Sequence, residues 1–196
     1  IFGKAFQDKL GDQSWFLVGC GALGCEYIKG FALVGVGCGK GQIHVTDMDR
    51  IEVSNLSRQF LFRKENVGQP KSVTAAKAAL TMNPNVNIKC HETPVGTDTE
   101  NYFNDEFWNG IDGVCNALDN IKAREYTDSR IVFYQKPLLE SGTLGTKANS
   151  EVILPHLTRC YREGVKTDND DGAIPMCTLR HFPHLIEHCI EWSRAQ

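Results

Sequence analysis

Short apolar runs alternate along the chain with longer segments in which apolar residues recur at helical spacing. Trp15 to Val18 is one such run, and the glycines that follow it are typical of a buried parallel strand. Apolar residues from Cys20 to Val36 then follow a helical period. The same patterns predict strands at residues 42–46, 86–90, 113–117, 137–140 and 151–154, and helices at 71–82, 100–108, 120–129 and 183–192. This alternation predicts an α/β fold, a doubly wound and mainly parallel sheet with helices on both faces.

Two segments lack a sustained period. Residues 48–70 predict a long functional loop with a helical turn. Residues 162–173 are polar and acidic, which indicates a mobile linker outside the core. We therefore expect a first domain over 1–161, a crossover linker over 162–175, and the start of a second domain over 176–196. We also expect the polypeptide to continue, because the pattern shows no domain end after the last predicted helix.

Composition narrows the class of protein. The 196 residues are 41% hydrophobic and carry a net charge of −3, which gives no electrostatic reason to expect nucleic acid or membrane binding. The sequence contains no apolar run of transmembrane length and no signal-peptide pattern at its start. Eight cysteines occur without a Cys-x-x-Cys pair, so zinc has little support and most of them are expected to be reduced thiols in a cytosolic protein.

A glycine-rich motif follows the first predicted strand and opens the next helix. Gly19, Gly21 and Gly24 fit the pattern G-x-G-x-x-G, in which glycines let the backbone approach a phosphate. Asp47 ends the following strand, where a carboxylate can accept hydrogen bonds from ribose hydroxyls. These residues alone fit an NAD-dependent dehydrogenase as well as an ATP-binding protein, and a glycine turn without a ligand is the simplest alternative.

Further polar residues favour ATP with Mg²⁺. Arg58, Gln59 and Lys71 lie in or just after the long loop, where cationic groups could hold a triphosphate. Asp119 ends a later strand at the ligand-binding edge of such sheets, and a carboxylate there can hold Mg²⁺. Each residue taken singly could be an ordinary surface group, so the prediction depends on their shared location. A dehydrogenase would leave Arg58, Lys71 and Asp119 without a role.

Five short motifs accompany the glycine turn, and they span the predicted loop and strand ends. They are Asp47-Met48-Asp49, Ser54-Asn55-Leu56, Arg58-Gln59-Phe60-Leu61-Phe62, Asn116-Ala117-Leu118-Asp119-Asn120 and Glu140-Ser141-Gly142-Thr143. Together they resemble the active adenylation half of the enzymes that activate ubiquitin and its relatives. The resemblance extends from about residue 16 to residue 192. It implies a Rossmann-like adenylation domain as the first domain, and the start of a catalytic cysteine domain as the second.

The resemblance also implies residue roles. Gly21 and Ala22, with Gly19 and Gly24, would line the nucleotide, and Asp47 would hold the ribose. Asp119 would bind Mg²⁺. The residues expected to complete the ATP site are Asn55, Arg58, Gln59, Lys71 and Asn120. The reaction implied is attack of the ubiquitin C-terminal carboxylate on the α-phosphate of ATP, which gives an acyl-adenylate and pyrophosphate.

A second chemical centre is expected near the end of the chain. Pro175-Met176-Cys177-Thr178-Leu179-Arg180 resembles the catalytic cysteine motif of the same enzymes, which implies catalytic roles for Cys177, Thr178 and Arg180. There the thiolate takes the acyl group as a thioester and later passes it to a conjugating enzyme. Nearby positive charge, such as that of Arg180, favours the thiolate. A buried structural cysteine is the alternative.

The resemblance further implies ubiquitin, conjugating enzymes and the remainder of the same polypeptide as partners, in the cytoplasm and nucleus. Activating enzymes for SUMO usually carry a Cys-x-x-Cys before the catalytic cysteine, whereas this chain has only Cys160 there, which favours ubiquitin. Three alternatives stay open: an activating enzyme for another ubiquitin-like modifier, a dehydrogenase, and a non-catalytic module like the inactive adenylation half. The last would lack the intact phosphate-binding set that this chain has.

Overall fold

Five parallel strands and one antiparallel strand form the sheet on which the molecule is built. The computed structural model describes residues 2–144 and 147–164, together with the single helical positions 186, 190 and 193. The strands are β1 (Trp15–Val18), β2 (Ile43–Thr46), β3 (Ile88–His91), β4 (Gly113–Asn116), β5 (Leu138–Leu144) and β6 (Lys147–Ile153). The helices are α1 (Lys4–Gly11), α2 (Ala22–Val34), α3 (Lys71–Met82), α4 (Asp105–Asn109), α5 (Ile121–Tyr134) and α6 (Tyr161–Gly164).

The strand order is β3-β2-β1-β4-β5-β6, with β1 at the centre. Strands β1 to β5 pair in parallel, and β6 returns antiparallel to β5. The order reverses between β1 and β4, so the ends of β1, β2 and β4 meet at the point where open α/β sheets bind ligands. The predicted fold class, a doubly wound and mainly parallel sheet, is confirmed.

The sheet is buried on both faces, as expected for parallel strands covered by helices. Leu17 belongs to one apolar cluster, which includes side chains of α2 and α3. Its neighbours Phe16 and Val18 belong to a second cluster with Trp108 of α4 and Ile131 of α5. Consecutive side chains of β1 therefore serve opposite cores, as the two-residue period of a strand requires.

Most predicted elements are confirmed, and β1 and α3 have the predicted bounds. The helix predicted over 100–108 is wrong in its first half, because α4 begins only at Asp105. Asn104 caps it by accepting a hydrogen bond from the Phe107 amide at 3.0 Å, and a short 3-10 helix at Thr97–Thr99 precedes it. The sequence pattern did not predict α1, and α5 and β5 run further than predicted.

The chain after β6 is fastened to α5. Asp128 of α5 is buried, and its carboxylate accepts hydrogen bonds from the backbone amides of Tyr161 at 2.9 Å and Arg162 at 3.4 Å. These bonds cap the first turn of α6 from a neighbouring helix. The first residues of the predicted linker are therefore helical and held in place. No helix in the described part of the chain is long and apolar enough to cross a membrane.

Candidate nucleotide-binding site

The turn between β1 and α2 is so tight that two of its positions require glycine. Gly19 has a φ of +100°, and a Cβ there would lie 2.6 Å from the Ala117 carbonyl oxygen. A Cβ on Gly24 would lie 2.2 Å from the carbonyl oxygen of Gly19. Both approaches are impossible for a side chain, so these glycines join α2 to the ends of β1 and β4. The predicted glycine motif is thus a real close-packed turn.

Gly21 differs from its neighbours because the space beside it is open. It is the N-cap of α2, no side chain caps the helix there, and a Cβ would meet nothing within 4 Å. The first amides of α2, beginning with Ala22, therefore have no side-chain acceptor among the described residues. An uncapped helix N-terminus of this kind attracts an anion through its amide groups and its dipole.

Asp47 is fixed beside this turn by two backbone amides. Its Oδ2 accepts a hydrogen bond from Cys20 at 2.6 Å, and its Oδ1 accepts one from Asp49 at 2.8 Å. Burial raises the pKa of Asp47, while these two hydrogen bonds and the charge of Lys71 oppose the rise. Each carboxylate oxygen keeps a lone pair that could accept a ribose hydroxyl.

Lys71, at the start of α3, supplies the positive charge of the site. Lys71 is only 7% exposed, and its Nζ lies 2.7 Å from Asp49 Oδ2. Its charge lowers the pKa of Asp47 and also acts on the Cys20 thiol. The predicted phosphate-binding lysine therefore faces the glycine turn. Its partner Asp49 was not predicted as a site residue, although the Asp-x-Asp spacing after a strand was a usable signal.

The long loop is anchored to α2 by its apolar residues, since Leu61 and Phe62 are buried in the same cluster as Cys25 and Ile28. The 3-10 helix Val53–Ser57 carries Asn55, whose Oδ1 accepts a hydrogen bond from the Glu52 amide at 3.0 Å. The side chain of Asn55 is thus buried and partly engaged within the loop, while that of Arg58 is exposed and donates to the Ser54 carbonyl at 3.0 Å.

Gln59 is buried, and its Oε1 has no hydrogen-bond partner among the described residues. An orphaned amide in the loop that is predicted to contact phosphate is consistent with a group that a ligand completes. Rotation of the carboxamide by half a turn would present its NH₂ instead.

Asp119 follows β4 and is exposed at the same edge of the sheet. None of the described residues donates a hydrogen bond to its carboxylate, so the oxygens are available for a cation. No group of three or more His, Cys, Asp or Glu in the described ranges could hold a metal ion. A cation at Asp119 would therefore need further oxygen ligands from a substrate, which is how Mg²⁺ usually binds with nucleotide phosphates.

Asn120, predicted to help bind ATP, caps a helix in this structure. It is the N-cap of α5, and its Oδ1 accepts a hydrogen bond from the Ala123 amide at 3.2 Å. The cap fixes the helix that follows Asp119 and engages the side-chain oxygen. Cys177, Thr178 and Arg180, predicted as the catalytic group, lie outside the described residues.

Comparison with known proteins identifies the family to which this chain belongs. Residues 1–190 match the ThiF family. The chain is 56% identical over 194 residues to ubiquitin-like modifier-activating enzyme 1 of Dictyostelium discoideum, and 54% identical over 197 residues to the human protein of that name. It is also 54% identical to ubiquitin-activating enzyme E1 1 of Arabidopsis thaliana. These alignments cover 98–100% of this chain but only 18–19% of the relatives, so the chain spans about a fifth of their length.

A solved structure supports the fold. The Escherichia coli protein MccB, crystallised with MccA-N7isoASN, superposes with a TM-score of 0.72 over 84% of this chain and 46% of its own. The sequence identity is 24%, so this likeness concerns the fold alone.

Proposed function

Because this chain belongs to the ThiF family, we propose that it is the ATP-binding adenylation segment of a ubiquitin-activating enzyme. The resemblance found in the sequence agrees with the relatives it matches. The observation that carries the proposal is the uncapped N-terminus of α2 at Gly21, where the space beside the backbone is open, next to Asp47 and the glycine turn. That arrangement suits a nucleotide phosphate.

In the proposed reaction the described residues bind and orient ATP. The amides at Gly21 and Ala22 receive a phosphate, and Asp47 accepts the ribose hydroxyls. Lys71 and Arg58 face the negative charge that develops as pyrophosphate leaves. Asp119 is the residue that would hold Mg²⁺, which would neutralise phosphate charge when bound. The fit is good because the Asp119 carboxylate is exposed and without a hydrogen-bond donor among the described residues.

The bond changes are those of an adenylyl transfer followed by an acyl transfer. The ubiquitin C-terminal carboxylate attacks the α-phosphorus of ATP, the bond to the β,γ-phosphates breaks, and pyrophosphate leaves. The thiolate of Cys177 then attacks the acyl carbon of the adenylate, a thioester forms, and AMP leaves. The proposed partners are ubiquitin, conjugating enzymes and the rest of the polypeptide. The proposed location is the cytoplasm and nucleus, and it is consistent with the free thiols of the six described cysteines.

ATP–pyrophosphate exchange in the complete polypeptide that carries this sequence tests the proposal. We expect exchange that requires ubiquitin and Mg²⁺ and that is much weaker with SUMO. A thermal-shift comparison of ATP–Mg²⁺ with NAD tests the dehydrogenase alternative directly. Stabilisation by NAD and not by ATP–Mg²⁺, or the absence of exchange with ubiquitin, would contradict the proposal. Exchange with SUMO instead of ubiquitin would keep the reaction and change the substrate.

A further inference from the structure

Arg124 of α5 is a largely buried cation beside the strand end that carries Asp119. Its side chain is 11% exposed and forms an ion pair with Glu140 of β5. Its Nη2 also donates a hydrogen bond to the carbonyl oxygen of Leu118. Burial lowers the pKa of Arg124, while the charges of Tyr161 and Asp119 act in the opposite direction. Arg124 therefore bridges β5 to the turn after β4 and lies within electrostatic range of Asp119.

Glu140 makes this bridge rigid. Its side chain is 1% exposed, and its Oε2 accepts a hydrogen bond from Asn116 Nδ2 at 2.7 Å. An acid inside a strand of the sheet is costly to bury, and replacing a buried ion pair with apolar residues often costs nothing in stability. A gain in stability is therefore a weak explanation for the Arg124–Glu140 pair. The alternative is that the pair fixes the position of the backbone that Arg124 contacts.

The atom that Arg124 contacts shows which part of the backbone is held in place. The Leu118 carbonyl belongs to the same planar peptide group as the nitrogen of Asp119, so a hydrogen bond to this carbonyl fixes the orientation of the backbone entering Asp119. On the other side, the Ala117 carbonyl lies against Gly19, and Asn120 caps α5. Every residue of the turn from 117 to 120 except Asp119 thus has a contact that holds it. Asp119 alone presents its side chain outward without such a contact among the described residues.

We propose that Arg124 is a positioning residue that, held by Glu140, orients the Leu118–Asp119 peptide so that the Asp119 carboxylate is presented to the metal of the nucleotide complex. The inference rests on the proposed function, because it assumes a divalent cation at Asp119. Arg124 acts through the backbone and does not itself touch the cation. A lysine in its place would keep the charge but could not bond Glu140 and Leu118 with one planar fork.

The test uses Arg124→Lys, Asp119→Asn and a matched control in the complete polypeptide. Asp128→Asn is the control because Asp128 lies on the same helix, is also largely inaccessible to solvent and makes its charged hydrogen bonds away from the turn. The first measurement is Mn²⁺ affinity in the presence of ATP by electron paramagnetic resonance. We expect Arg124→Lys to weaken Mn²⁺ binding five- to tenfold, Asp119→Asn to weaken it further, and Asp128→Asn to leave it within twofold.

A second measurement needs no ligand. Amide hydrogen exchange should become faster in Arg124→Lys at Ala117, whose amide donates to the Val18 carbonyl, and at Ala123, whose amide donates to Asn120 Oδ1. It should stay unchanged in Asp128→Asn, because only Arg124→Lys loses the bond that holds the turn between these two amides. If Arg124→Lys fails to fold, Glu140→Gln replaces it in the test. In that variant Arg124 keeps its hydrogen bond to the Leu118 carbonyl but loses its ion pair. We expect Glu140→Gln to weaken Mn²⁺ binding two- to threefold.

The outcomes separate the two proposals. Arg124→Lys, or Glu140→Gln in its place, with both Mn²⁺ affinity and exchange rates equal to those of the control would overturn the positioning role. Asp119→Asn with unchanged Mn²⁺ affinity would instead overturn the metal assignment in the proposed function, and the positioning role toward a metal would fall with it. Faster exchange at Ala117 and Ala123 would still establish the contact in that case.

Discussion

Lys71 and Asp49 form an ion pair of 2.7 Å in which the cation is buried and the anion is exposed: their side chains are 9% and 57% accessible. Asp49 can therefore be solvated when the lysine turns to another anion. The ion pair keeps the Lys71 ammonium near the glycine turn. It contributes little to the stability of the fold, because its carboxylate is exposed to solvent. Phosphate can take the place of Asp49 without leaving a buried charge unpaired.

Replacement of Lys71 should affect ATP binding more than folding. In Lys71→Met the charged hydrogen bond to phosphate is lost, and we expect the KM for ATP to rise about ten- to hundredfold. The melting temperature should change little, because Asp49 remains solvated. The measurement is pyrophosphate exchange at varied ATP, with Lys77→Met, an exposed lysine on the same helix, as control. Equal KM values in the two variants would remove Lys71 from the phosphate site.

Replacement by alanine should have different effects at two glycines of the turn. Gly24→Ala would place a Cβ 2.2 Å from the Gly19 carbonyl oxygen, and we expect a loss of about 1–3 kcal/mol in the free energy of unfolding. Gly21→Ala meets nothing within 4 Å in the protein, so the fold should be retained while ATP binding weakens.

Gly30→Ala, in the interior of α2, is the control. Its Cβ meets nothing within 4 Å, and it should stabilise the protein by about 0.5–1 kcal/mol. Urea unfolding and ATP titration measure the two effects separately. Wild-type ATP affinity in Gly21→Ala would show that the open space at Gly21 is not where phosphate binds.

A histidine pair should make stability depend on pH. His44 Nδ1 lies 3.1 Å from His91 Nε2, and His91 Nδ1 lies 2.9 Å from the Tyr102 hydroxyl. Burial, together with the charges of His91 and Lys89, lowers the pKa of His44 to about 4. Burial and the charge of Lys89 also lower the pKa of His91. Both imidazoles are thus neutral in the folded protein near neutral pH.

The direction of the pH dependence follows from the lowered pKa of His44. The unfolded chain binds the proton near pH 6.5, whereas the folded chain does so only near pH 4, so stability falls as the pH drops through this window. After allowance for partial solvent exposure, we expect His44 to cost about 1 kcal/mol between pH 7.5 and 5. Urea unfolding at both pH values, compared with His44→Leu, isolates this contribution. The same pH dependence in His44→Leu would assign it to other groups.

The nucleophile is expected to be Cys177. Burial raises the pKa values of Cys20, Cys25, Cys90, Cys115 and Cys160, which keeps these thiols protonated near neutral pH. A protonated thiol is a poor nucleophile. Cys177→Ala should therefore retain ubiquitin-dependent pyrophosphate exchange and lose the thioester, detected as a ubiquitin adduct that thiol reductants cleave. Cys160→Ala is the control. A reducible adduct that persists in Cys177→Ala would assign the thioester to another cysteine.

The sequence allowed prediction of those parts that local patterns determine. The bounds of α3 were correct because an alanine-rich period lies between Pro70 and Asn83, and β1 was correct because both its faces are buried. The short helix α4 was overextended because its start depends on the Asn104 cap, which competes with an apolar pattern that continues on both sides.

Residues whose roles depend on distant partners were harder to predict. The contact of Lys71 with Asp49 joins positions 22 apart, and that of Asn116 with Glu140 joins positions 24 apart. Neither spacing has a sequence signature. Glu140 did offer a signal, because an acid that directly follows the apolar residues Pro137 to Leu139 in a buried strand requires a buried partner. Arg124 offered none, since an arginine on a helix is usually a surface residue.

The attachment of Tyr161 to Asp128 fixes the point from which the chain leads on to Cys177. Asp128 lies eight residues along α5 from Asn120, roughly 12 Å in helical rise from the nucleotide edge. The 13 residues from 165 to 177 can span at most roughly 43–47 Å. Whatever path those residues take, Cys177 cannot lie further than this distance from the end of α6.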